Sequence, residues 1–121
     1  MNRNTTGQLG EKLAQDYLKK HGHRIIETNF RTRYGEVDII SKHKNILVFT
    51  EVRAKISLAY GTPEESVTET KARHLRAAAY FYRETHEKLP EQWRIDFIAI
   101  EMDDKGKVSR INHIESAIGE D

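Results

Sequence analysis

The chain has 121 residues, of which 37% are hydrophobic and 32% charged, and its formal net charge is +1. This length and apolar content suit a single domain over residues 1–121, and the near-neutral charge gives no overall attraction to a polyanion. The absence of cysteine excludes a disulfide scaffold, a thiolate metal site and a cysteine nucleophile. Neither a signal-peptide-like run nor a membrane-spanning run is recognisable, so we expect a cytoplasmic protein with no membrane partner.

The first periodic segment predicts a helix from Thr6 to Lys20. Apolar residues recur there at helical spacing and form one stripe: Leu9, Leu13, Ala14, Tyr17 and Leu18. Thr5 and Gln8 have the spacing of a capping box, which would satisfy free amides at the start of the helix.

Three strand candidates follow this helix. β-Branched and aromatic residues favour strands at 23–30, 36–41 and 46–54, and the last two are joined by the polar turn "KHKN". A turn centred on His43 and Lys44 would make these two strands a hairpin.

A second helix and two more strands complete the chain. Apolar spacing predicts the helix from Thr68 to about His86, although Thr62 and Pro63 offer an earlier start. "QWRIDFIAIEM" and "KVSRINHIESAI" predict the final strands. The order α-β-β-β-α-β-β favours an α/β fold with a mixed central sheet flanked by helices.

The predicted hairpin contains acidic residues among apolar ones. With the turn at His43 and Lys44, Asp38 pairs with Phe49 and has Glu51 as its diagonal neighbour, about 7–8 Å away. Two carboxylates at that separation suit a hard cation such as Mg²⁺. Two alternatives stay open: a register slip of one residue would separate the acids, and inward charges can also protect an exposed sheet edge.

Glu11 and Glu36 are further acids near this hairpin. Glu11 lies at the edge of the apolar stripe of the first helix, where it is either a third metal ligand or a solvated side chain. Glu36 is better explained as a partner of Arg31 or Arg33 at the end of the preceding loop.

The ordered segments "GEVDIIS…LVFTEVRAK", "VTETKARHLRAAAYFY", "WRIDFIAI" and "INHIESAI" resemble the YraN-type family of uncharacterised bacterial proteins. That family is grouped with the restriction-endonuclease-like, PD-(D/E)xK nucleases and is similar to Holliday-junction resolvases. The resemblance implies an αβββαβ core, metal binding by Asp38 and Glu51 with Glu11 as an additional acid, and Mg²⁺ or Mn²⁺ as cofactor. It further implies structured DNA as the partner and a homodimer as one arrangement.

Arg53 stands where the nuclease signature has lysine. Arginine does not lose its proton, but its guanidinium binds phosphate and stabilises developing charge. Lys55, on the same face by parity, and Lys71, at the start of the second helix, are candidates for the lysine role. For Lys71 a solvated lysine in the first turn is the alternative.

Two groups of residues are candidates for a nucleic-acid surface. The first is a basic and aromatic loop of Arg31, Arg33 and Tyr34. The second is a stripe on the second helix, consisting of Arg73, Arg76, Tyr80 and Arg83. Either group could follow phosphates, with affinity that falls as salt rises. A solvated helix face is the alternative for the stripe.

Asp96 and His113 are the remaining polar residues of interest. Asp96 alternates with apolar residues and is expected to face Arg94 or Arg110, and His113 is expected to be a packed or surface histidine.

Taken together, the residues and the resemblance favour a metal-dependent endonuclease in which Asp38, Glu51, Arg53 and Lys71 act in catalysis. A non-catalytic nucleic-acid-binding module is the second hypothesis, because Arg53 departs from the signature. A protein-interaction role in which the acids guard a sheet edge is the third.

Overall fold

The computed structural model describes residues 2–59 and 61–119. Its elements are α1 (Arg3–Lys20), β1 (Arg24–Arg31), β2 (Glu36–His43), β3 (Ile46–Lys55), a 3₁₀ helix (Pro63–Ser66), α2 (Glu69–Thr85), β4 (Trp93–Met102) and β5 (Val108–Ile118). The order of helices and strands predicted from the sequence is confirmed. No helix within the described residues is long and apolar enough to cross a membrane.

The strands form one mixed sheet in the order β1-β2-β3-β4-β5. β3 and β4 are parallel, and the other neighbouring pairs are antiparallel. A parallel pair needs a long crossover, which the 3₁₀ helix and α2 supply. Because β1 flanks β2 and β4 flanks β3, both strands that carry the acids are interior. The hypothesis that these acids protect an exposed edge is wrong.

Two apolar clusters hold the helices against the sheet. One lies beneath α2 and includes Leu75, Phe49 and Ile95. The other lies beneath α1 and includes Leu18 and Ile98. The predicted sheet flanked by helices is thus an α/β/α arrangement with a core on each side.

The helix starts differ in part from the prediction. α1 begins at Arg3, because the side chain of Asn2 accepts a hydrogen bond from the Thr5 amide at 2.9 Å and caps the helix three residues earlier than expected. α2 begins after Thr68 as predicted, and the Thr68 hydroxyl accepts from the Lys71 amide at 3.1 Å. Pro63 starts the separate 3₁₀ helix instead.

The turn between β2 and β3 differs from the prediction by one position. It is formed by Lys44 and Asn45, whose φ angles are +50° and +61°, as in the tight hairpin turns that match strand twist. Ile40 therefore pairs with Phe49, and the predicted pairing of Asp38 with Phe49 is wrong by two residues. Because the error is even, the side chains keep their faces.

Candidate active site

An open cleft of about 1220 Å³ lies between the first turns of α1, the start of α2 and the central strands. Apart from the stripe on the second helix, the residues predicted for the site all line it: Glu11, Arg31, Arg33, Tyr34, Asp38, Glu51, Arg53, Lys55 and Lys71. The fold thus gathers residues from two helices, three strands and one loop into a single surface.

Asp38 and Glu51 form the buried floor of this cleft. The ladder between β2 and β3 ends with Ile39 and Thr50, and the two acids are the next residues along these strands. They are only 7% and 4% exposed, and the Val52 amide donates to Asp38 Oδ2 at 2.8 Å. The two carboxyl groups therefore meet in a region where water can hardly screen them.

This confinement changes the proton affinity of both groups. Burial, followed by the negative charge of Glu51, raises the pKa of Asp38 to about 9. Burial also raises the pKa of Glu51, although a hydrogen bond with Asp38 and the charge of Arg53 act in the opposite direction. Since Glu51 is the residue with cationic neighbours, its charged form is favoured over that of Asp38.

Lys71 is the main cationic partner of Glu51. Its Nζ lies 2.6 Å from Glu51 Oε2, whereas Arg53 Nε lies 3.8 Å away and its side chain is 44% exposed. Lys55 Nζ instead donates to the carbonyl of Gly61 at 3.2 Å. Of the two lysines considered for the signature role, the structure places Lys71 at the acids.

Glu11 reaches the same cleft from α1. Burial, followed by the charges of Glu36 and Glu51, raises the pKa of Glu11, while a hydrogen bond with Asn29 opposes this. Nevertheless, in residues 2–59 and 61–119 no three His, Cys, Asp or Glu side chains are grouped so that they could hold a metal. The arrangement present is the Asp38–Glu51 pair with Glu11 nearby.

A local distortion of the sheet accompanies Asp38. Asn29, which lies across from it on β1, has a left-handed φ of +53°. Val37 packs beneath α2 and Ile39 beneath α1, although residues two apart in a regular strand share a face. β2 therefore changes face at Asp38, and such local strain is frequent at functional sites.

The basic loop after β1 forms one wall of the cleft. The Thr32 hydroxyl accepts from the amides of Tyr34 and Gly35 at 2.9 and 3.1 Å and donates to the Gly35 carbonyl. Arg31 Nε lies 3.3 Å from Glu36, which confirms the partner predicted for that acid. Arg33 donates to the Tyr34 hydroxyl at 2.7 Å.

The predicted stripe on α2 lies outside the cleft. Arg76 contacts Glu69 at 2.7 Å and is only 12% exposed, and Arg83 lies over the ring of Trp93 at 5.4 Å. Arg73 is exposed and lies 3.4 Å from the Thr70 hydroxyl. Phosphate binding by this stripe stays a prediction.

A second polar cluster was only partly expected from the sequence. Asp96 accepts from Arg94 at 2.9 Å, as predicted, and also from His113 at 2.7 Å and the Ser116 amide at 3.0 Å. Burial alone would raise the pKa of Asp96, but these hydrogen bonds outweigh it and lower the pKa. The other expected partner, Arg110, pairs with Glu64 and Glu101 instead.

Two further histidines adjoin His113. The ring of His23 lies 6.0 Å from it and stacks on His43 at 4.2 Å. Burial, followed by the charges of His43 and His113, lowers the pKa of His23 to about 4. These residues are far apart in the chain, so no spacing rule could have grouped them.

Comparison with known proteins places the chain in a family. The model of uncharacterised protein family UPF0102 matches residues 10–100. A UPF0102 protein of Dehalococcoides mccartyi is 44% identical over 120 residues, which cover 99% of this chain and 98% of the relative. UPF0102 proteins of Caldicellulosiruptor saccharolyticus and Caldicellulosiruptor bescii are 40% and 42% identical, each over 97% of this chain and 99% of the relative. With similarity of this extent, the chain belongs to the UPF0102 family of uncharacterised proteins.

Proposed function

We propose that this protein is a metal-dependent endonuclease with a restriction-endonuclease-like core, acting on structured DNA such as branches or flaps. The observation that carries the proposal is the buried Asp38–Glu51 pair, which lies on adjacent interior strands and faces Lys71 in a cleft lined by arginines. The order of α1, three antiparallel strands, α2 and β4 is compatible with the αβββαβ core that the sequence resemblance implies.

The donor set at the floor of the cleft fits Mg²⁺ or Mn²⁺. Asp38 and Glu51 supply hard oxygen ligands, and because burial raises the pKa of both, a bound cation would favour their ionised forms. Glu11, in the same cleft, could contact the ion through water. Such an ion supplies Lewis-acid stabilisation of phosphate charge and lowers the pKa of water.

The cationic side chains have separate tasks in this proposal. Arg53 is sufficiently exposed to contact a phosphate while it remains near Glu51, and its permanent charge stabilises the charge that develops on the phosphate oxygens. Lys71 pairs with Glu51 in the free protein, and in this proposal it contacts the same phosphate when DNA binds. Arg31 and Arg33 hold the flanking backbone from the adjacent loop.

Cleavage assays with labelled branched, flapped and linear duplex DNA in Mg²⁺ or Mn²⁺ test the proposal. We expect cleavage by the natural chain and a loss of about 100-fold or more in Asp38→Asn and Glu51→Gln, because each removes an anionic ligand. Asp16→Asn is the matched control, since Asp16 is an exposed carboxylate on α1 that pairs with Lys12 and does not line the cleft. Equal cleavage by all four proteins would refute the assigned site.

A non-catalytic DNA-binding module is the second candidate. It is favoured by Arg53 in the lysine position and by the lack of a grouped three-ligand metal site in the described residues. It predicts salt-sensitive binding of branched DNA with no hydrolysis in any divalent metal. Calorimetric titration with Mn²⁺ separates the candidates further, since heat that disappears in Glu51→Gln identifies a metal bound at the acids.

A further inference from the structure

An exposed aromatic pair lies at the rim of the cleft. Tyr34 lines the cleft and is 43% exposed, and Phe81 on α2 is 39% exposed. Their ring centroids are 6.0 Å apart and the rings are inclined by 53°. Phe30, which packs against the core beneath α2, has its ring 6.3 Å from that of Phe81. The two rings are therefore presented to solvent on a firm apolar base.

The loop holds the position of the pair relative to the basic residues. The amides on both sides of the Tyr34 peptide are fixed by the Thr32 hydroxyl. The Arg33 guanidinium carbon lies 4.9 Å from the centroid of the Tyr34 ring, and Arg31 and Arg53 line the same cleft. Aromatic rings and arginine side chains thus lie next to each other at the cleft.

Leaving two large rings exposed forgoes the stabilisation that their burial would give. Rings beside a basic groove are the arrangement with which proteins bind single-stranded nucleic acid, because every base has a π face that can stack. Paired bases inside a duplex are already stacked on their neighbours and offer no free face. The combination therefore favours a strand that contains unpaired bases over an uninterrupted duplex.

We infer that Tyr34 and Phe81, here called the aromatic platform, stack an unpaired nucleobase while Arg31 and Arg33 hold the adjoining phosphates. This inference rests on the proposed function and narrows its substrate class to DNA with a single-stranded segment, such as a flap or an open branch. The platform determines which strand enters the cleft, and the acids at the floor act on the phosphate that follows.

Equilibrium binding without catalysis tests the platform. Fluorescence anisotropy in the presence of EDTA compares a short labelled oligothymidine, an oligonucleotide of the same length made of abasic sites, and a blunt duplex. We expect the oligothymidine to bind more tightly than the abasic strand. Tyr34→Ala and Phe81→Ala should each weaken oligothymidine binding by about 5- to 100-fold and leave abasic binding unchanged.

Two kinds of control accompany these variants. Tyr34→Phe and Phe81→Tyr keep the rings and should retain the preference for bases, which separates loss of stacking from loss of fold. Ile26→Ala removes an apolar residue of 36% exposure from β1, outside the cleft lining, and should leave binding unchanged.

The outcomes distinguish the inference from the proposed function. If oligothymidine and abasic strands bind equally well, or if the alanine variants retain the preference for bases, the platform is refuted while the nucleic-acid surface stands. If none of the three ligands binds, the proposed function fails together with the platform.

Discussion

Asp38→Asn should stabilise the metal-free protein, and it should do so more at high pH than at low pH. The natural chain buries two carboxyl groups against each other, and Asp38 has its pKa raised from 3.8 to about 9. Asparagine keeps an acceptor for the Val52 amide and leaves the Lys71–Glu51 ion pair in place. The substitution therefore removes a buried group that ionises only at a cost beside Glu51, and it creates no unpaired buried charge.

The sign and size of the effect follow from proton linkage. Between the two pKa values the folded protein holds a proton on Asp38 that the unfolded chain has lost, so the free energy of unfolding falls as pH rises through this range. Each pH unit changes the free energy by about 1.4 kcal/mol. Between about pH 5 and pH 8, the stability of Asp38→Asn should therefore gain up to about 4 kcal/mol relative to the natural chain.

Urea denaturation at both pH values, with EDTA present, measures this difference. Asp16→Asn controls for a change of charge at an exposed carboxylate, and its effect should stay within about 0.5 kcal/mol at either pH. Mg²⁺ should then stabilise the natural chain more than Asp38→Asn. A variant that is less stable than the natural chain at pH 8, or a difference independent of pH, would contradict this account of the buried pair.

Two further predictions concern other parts of the fold. Burial lowers the pKa of His23 from 6.5 to about 4, so the free energy of unfolding should fall by about 3 kcal/mol as pH decreases through this range. Denaturation of His23→Gln should show a correspondingly smaller fall. If the variant has the same pH profile as the natural chain, His23 is excluded as the cause. In Gly10→Ala the new Cβ would lie 2.5 Å from the Cβ of Ala54, so α1 must move and thermal denaturation should show a loss of about 1–3 kcal/mol. An undiminished melting temperature would show that α1 adapts without strain.

Local patterns predicted the elements well because each segment contains its own signal. The apolar stripe through Leu13 and Leu18 and the β-branched runs around Ile39 and Val48 define a helix and two strands without tertiary information. The ends were less certain, because several polar residues can cap a helix. Asn2 competes with Thr5 for the start of α1, and only the folded chain shows that Asn2 makes the bond.

The sequence predicted which site residues share a face of the sheet, but not the distances between their side chains. Strand parity placed Asp38 and Glu51 on one side, and it survived a register error of two residues. How close these two acids come depends on the turn at Lys44 and Asn45, where neither residue is the glycine that marks such turns most clearly. The proximity of Lys71 to Glu51 and of Phe81 to Tyr34 depends on how α2 crosses the sheet, which no local spacing encodes.

The parallel pairing of β3 with β4 has a consequence for the order in which the protein can mature. Within residues 2–59 and 61–119, the cleft is lined up to Leu75 and not beyond it. Glu51 nevertheless lies on a strand whose other neighbour, Trp93–Met102, is synthesised later. Until that segment leaves the ribosome, β3 has only β2 as a neighbour and forms an edge of the sheet. The floor of the cleft then lacks the support of β4. The described residues from Trp93 onward therefore support the cleft without lining it, because β4 completes the pairing of the strand that carries Glu51.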